Sequence, residues 1–133
     1  MSIESIKEIF KKLKEMELEI SKEKGEFSLF MLLHREEGTD KYDLIVSAPW
    51  LEVDKRQGLE YLVEKVQSKL NRDELLTISR IVILEKDNPT LAAVLKAINV
   101  KQGDAHVKDT VFYDTSVSQA FISTSTTSPT QFR

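Results

Sequence analysis

A chain of 133 residues, 41% hydrophobic and 31% charged with a net charge of −3, is long enough to bury one core without covalent staples. It contains no cysteine, which excludes a disulfide framework, thiol catalysis and cysteine-ligated zinc or iron–sulfur. The acidic balance gives little nonspecific hold on phosphate backbones, and apolar runs such as Leu29 to Leu33 fall far short of a membrane span.

Glu4, Lys7 and Glu8 would interrupt any signal-peptide core. The chain therefore reads as cytoplasmic, with neither nucleic acid nor membrane among its partners.

Residues 2 to 20 read as the first helix. Ile3, Ile6, Phe10, Leu13, Met16 or Glu17, and Ile20 recur at three- to four-residue spacing, with Ser2 as N-cap and Gly25 soon after the end. Lys11, Lys12 and Lys14 are interleaved with acidic residues, as expected of a solvated flank laced with ion pairs.

Phe27 to His34 is expected to be a strand, with a buried helix as the competing reading of so short an apolar run. Apolar residues on both of its faces predict cover on both sides, from this chain or from a second subunit. The polar segment 35–41, with Gly38, suits a hairpin loop.

Tyr42 to Ala48 alternates as a second strand and ends at Pro49, which gives a ladder no N–H. Asp54 then caps a helix to about Leu70, with Leu59, Leu62, Val63, Val66 and Leu70 as its apolar stripe. Asn71 with Glu74 forms a capping box for a short further turn through Ile78.

Arg80 to Lys86 is β-branched and reads as a central strand. Asn88-Pro89 opens a helix to about Asn99, closed by Gly103. His106 to Tyr113 and Gln119 to Thr124 read as an edge hairpin with one face in water. From Ser123 the composition turns to serine and threonine, so residues 125–133 are expected to be a flexible tail beyond a single α+β domain over 1–124. The predicted order is α-β-β-α-β-α-β-β around a mixed sheet of roughly five strands.

His34 and His106 lie far apart without zinc spacing, and no metal or cofactor is expected. The four glycines occur singly, so no glycine-rich phosphate loop exists. Ser47 and Ser79 lack the surroundings of a nucleophile. Helix, hairpin and Asp43 superficially match a restriction-endonuclease-like core, but its Asp/Glu-x-Lys element is missing: Glu85 and Lys86 are adjacent, and two residues separate Glu52 from Lys55.

Pro49, Trp50 and Leu51 lie at the carboxyl end of a strand, where open sheets hold ligands. Trp50 is either a binding residue there or a core residue with its indole N–H bonded to a carbonyl. With no catalytic residues assigned, the expected function is a non-enzymatic protein-interaction module (an adaptor, chaperone-like protein or regulatory subunit) that binds a protein partner or itself. The alternatives are a small metal-dependent hydrolase or nuclease using Asp43 with Glu52 or Glu85, and small-ligand binding near Trp50.

Overall fold

A computed structural model describes residues 3–36 and 40–127. In chain order the elements are α1 (Ile3–Lys24), β1 (Leu29–Arg35), β2 (Tyr42–Ser47), a 3-10 turn (Pro49–Leu51), α2 (Lys55–Lys69), α3 (Arg72–Thr77), β3 (Ile78–Ile83), α4 (Pro89–Ala97), β4 (Ala105–Phe112) and β5 (Thr115–Ser125). The five strands form one mixed sheet in the order β3-β2-β1-β5-β4. Only β2 and β3 run parallel; β1 pairs antiparallel with β2 and β5, as does β4 with β5. The fold is α+β, in the predicted order.

Helices divide the core in two. On one face α1 and α2 bury Ile6, Phe10, Leu13, Met16, Ile20, Leu62 and Val66 against Phe30, Leu32, Leu44 and Phe121. On the other, α4 packs Leu91 and Val94 against Leu29, Met31, Leu33, Ile45 and Ile122. This accounts for a first strand that is apolar on both sides: β1 is central, and helices of the same chain cover it above and below. The strand reading of Phe27 to His34 holds, and a second subunit is not needed to bury it.

Local signals end the helices where expected. The Asp54 side chain accepts the Gln57 N–H at 3.0 Å. Asn71 and Glu74 form a reciprocal capping box, and Asn88 accepts the Thr90 N–H at 2.8 Å ahead of Pro89. The first helix continues to Lys24 and closes at Gly25, whose φ of +124° suits glycine. The proposed Ser2 cap lies outside the described residues.

Four expectations are corrected. The strand at Arg80 is not central: β3 pairs with β2 alone and forms one edge, and its β-branched residues pack on both faces, Ile81 and Ile83 in the cluster under α1 and α2 and Val82 in the cluster with α4. The terminal hairpin is not wholly an edge either. β5 lies inside the sheet between β1 and β4, leaving only β4 outermost. The expected tail does not begin at residue 125, since Ser125 is a buried residue of β5, as are Ser123 and Thr124 before it. Ser125 donates its hydroxyl to the Ile98 carbonyl and exchanges backbone bonds with Val100, so polar side chains there are satisfied rather than solvated. Residues 128–133 of the expected tail lie outside the described residues. The α2 stripe is also narrower than its spacing suggests: Leu62, Val66 and Leu70 are buried, whereas Leu59 and Val63 lie at its exposed margin.

Candidate binding groove beside the first helix

The sheet face that carries α1 and α2 is not fully roofed. Phe10 of α1 contacts Phe121 of β5 with ring centroids 5.5 Å apart, and α2 lies on the far side of α1 over β3. On this face no helix among the described residues sits over β4, which α4 contacts from the opposite side. The strand register places His106 opposite Phe121 and Lys108 opposite Gln119, so these side chains share the helix-bearing face.

The outcome is an open groove of about 670 Å³ between α1 and β4. Lys7, Lys11, Lys14 and Leu18 form its α1 wall; Gln102, Asp104 and His106 form the other, over a floor of Phe10 and Phe121. The wall residues on α1 recur at i, i+4, i+7 and i+11, which puts them on one flank of the helix.

Glu17 closes the base. It is 2% exposed, yet no cation among the described residues bonds it. The Ser123 hydroxyl donates to Oε1 and the Thr124 hydroxyl to Oε2, each at 2.5 Å. Two adjacent strand residues normally point to opposite faces. Here a β-bulge intervenes: Phe30 pairs with Thr124 and Met31 with Ile122, leaving Ser123 as the extra residue. Both hydroxyls thereby reach one carboxyl. Burial raises the Glu17 pKa above its ordinary value, against the lowering effect of the two hydroxyls and of Lys14. Thr124 Oγ1 also accepts the Gln102 N–H at 3.1 Å, which anchors the loop at this end of the groove.

His106 stacks on Phe121, with centroids 4.3 Å apart and planes within 5°. Its Nε2 lies 2.9 Å from Gln119 Oε1, and Gln119 Nε2 donates to the Tyr42 hydroxyl. That amide orientation assigns the proton to His106 Nε2 and leaves Nδ1 outside the chain of bonds. Burial raises the Tyr42 pKa, with the Gln119 bond acting in the opposite direction.

The charges in the groove are unequally matched. Asp104 bonds Lys14 at 3.2 Å and Glu15 bonds Lys69 at 3.1 Å. Lys7, Lys11 and Lys108 have no ion-pair partner among the described residues. The sequence cluster Lys11, Lys12, Lys14 splits, because Lys12 points away to Glu74 at 2.8 Å.

The residues singled out in the sequence do not gather. Leu51 is buried core. Trp50 packs edge-on against Phe27 and Tyr61, with centroids at 5.6 and 5.9 Å, and a side chain on Gly25 would start 3.3 Å from it. The indole is a packed ring, but its buried N–H makes no hydrogen bond to a carbonyl or any other group. Pro49 lines a separate crevice of about 480 Å³ with Ser28, Ser47, Glu52 and Lys86; Trp50 and Leu51 are not part of its lining.

Asp43 is buried and held by Arg35 at 3.1 Å and Arg80 at 3.3 Å. Glu85 pairs with Lys55 at 3.2 Å. His34 lies against Tyr42 with ring centroids 5.1 Å apart, and Ser79 is exposed on β3. Among the described residues, no group of three or more metal-ligating side chains forms, and no helix is long and apolar enough to cross a membrane.

The groove's key acid was visible only as an irregularity: a glutamate at a position of the α1 stripe where Met16 would serve. Phe121 and His106 gave no sign, because their stacking depends on a cross-strand register. No protein-family model, curated protein or solved structure matches the chain.

Proposed function

We propose that this protein is a non-enzymatic interaction module that binds a partner protein through the groove between α1 and β4. The observation that carries this reading is the face of β4 left uncovered beside α1. Two helices cover one sheet face, and beside them lies a groove with an aromatic floor, an exposed Leu18 and two lysines without counter-ions.

The bonding inside the groove supports occupancy rather than turnover. Both oxygens of Glu17 are engaged by hydroxyls, and the bonded nitrogen of His106 faces Gln119. General acid–base work needs a group aimed at a reacting atom, and both Glu17 oxygens and His106 Nε2 are committed to neighbours. Strand addition at β4 is disfavoured: Lys108 is exposed on it and Asp109 has a φ of +48°, features that blunt an edge.

A photo-crosslinkable amino acid at Leu18, introduced in the producing cells, tests this reading against the same amino acid at Gln67, exposed on α2. A discrete protein adduct from position 18 that is absent from position 67 is expected. Equal labelling from both positions, or none from position 18, contradicts it.

A further inference from the structure

We infer that the groove receives an acidic amphipathic helix of the partner, laid alongside α1 as a third member of the helical layer. This rests on the groove being the binding surface, and it specifies the chemistry of what enters.

Spacing is the first argument. Neighbouring strands lie about 4.8 Å apart and packed helices 8–10 Å apart, so each helix roofs roughly two strands. In the order β3-β2-β1-β5-β4, α2 and α1 occupy two such places. The exposed face of β4 offers the next one, with half of its floor already supplied by Phe121 and Phe10.

Charge is the second. A small anion requires convergent, buried donors, whereas Lys7 and Lys11 are exposed and stand in a row. From Lys7 to Lys11 the row covers about 6 Å of α1, and it continues to Lys14, already paired with Asp104. Carboxylates recurring every three or four residues on an incoming helix match that row, and Lys108 and His106 flank it from β4. The groove's own carboxylates do not compete, since Lys14, Lys69 and the two hydroxyls hold them. Leu18, 43% exposed, supplies the apolar contact at the other end, as in helix-in-groove recognition.

A second copy of this chain is the weaker candidate. The outward side of α1 mixes Glu4, Glu8 and Glu15 with Lys22, and that of α2 mixes Arg56 with Glu60 and Glu64. Neither presents a purely acidic stripe.

The test uses a synthetic helical peptide of about fourteen residues, roughly four turns, with leucines on one stripe and glutamates on the adjoining flank. A second peptide replaces each glutamate with lysine. Amide NMR titration of the full chain should show the acidic peptide perturbing residues 7–18, His106 and Lys108, with the lysine peptide much weaker. In K7E/K11E, affinity for the acidic peptide should fall roughly tenfold, as two lost exposed pairs imply, and the lysine peptide should gain.

Because both positions are exposed, the variant keeps its fold, and its amide spectrum verifies this. Equal affinity for both peptides, no binding to the wild type, perturbation elsewhere, or dimerisation through α1 instead of peptide binding overturns the inference. A Leu18-specific adduct in cells combined with failure of the acidic peptide would discard the acidic helix and retain the groove.

Discussion

The carboxyl of Glu17 and the hydroxyl of Ser123 meet at 2.5 Å across 106 residues of sequence, joining the first helix to a bulge in the last strand. With Thr124 on the second oxygen, this is a buried carboxyl satisfied without an ion pair. Such a group costs stability whenever it is ionised.

The pH dependence follows in sign. The native Glu17 pKa is raised above the ordinary 4.5, so the folded state holds this proton more tightly than the unfolded chain. Stability falls as pH rises from 4.5 through the native value, and the penalty is absent below that window. Glu17→Gln should lose less stability than wild type between pH 4 and neutrality, measured as the difference between their urea midpoints at each pH. Glu17→Ala leaves two buried hydroxyls without their acceptor and should cost about 2 kcal/mol near pH 4, a cost that shrinks towards neutrality because the variant has no buried carboxyl to ionise.

Glu74 titrates with the opposite sign. Partial burial pushes its pKa up, but the Lys12 ammonium and the Asn71 N–H hold it below the usual carboxylate range. Its contribution is present above pH 4.5 and is lost as pH falls through the native value. Glu74→Ala removes the capping box and the Lys12 bridge and should cost about 1 kcal/mol at neutral pH, with less effect in acid.

Gly58 sits inside α2, where alanine ordinarily stabilises a helix. Here an added Cβ would lie 2.5 Å from Leu51 Cδ2. Gly58→Ala should therefore destabilise by about 1–2 kcal/mol, and the same substitution should cost less in a Leu51→Ala background, where the obstructing methyl is gone, although Leu51→Ala alone removes a buried core side chain. Thermal midpoints of the two single variants and the double variant decide it.

Asp43 is the carboxylate a metal-dependent hydrolase would have required. Two guanidinium groups occupy it from β1 and β3. Millimolar magnesium should leave the amide signals of residues 42–44 and 80 unmoved, whereas a saturable shift there would reopen a metal role.

The sequence made the element order legible because its punctuation is local: Pro49, Asp54, the Asn71–Glu74 box and Asn88-Pro89 each act within one turn of chain. Strand order depends on pairings between distant residues, so β3 was misplaced as central and β5 as an edge. The groove was illegible for the same reason. Lys7, Lys11 and Glu17 look like ordinary positions of an amphipathic helix until β5 brings Phe121, Ser123 and Thr124 beneath them. Trp50 attracted attention by its rarity, and packing against Phe27 and Tyr61 explains it.

Hydrogen exchange of the protein alone, compared with the protein in the complex recovered from its cells, addresses the central claim most directly. The account predicts slowed exchange along residues 7–18 and in β4 where its open face meets the groove. Unchanged exchange there, with new protection along the β3 edge at residues 78–83, would place the binding surface on the opposite side of the sheet and contradict it.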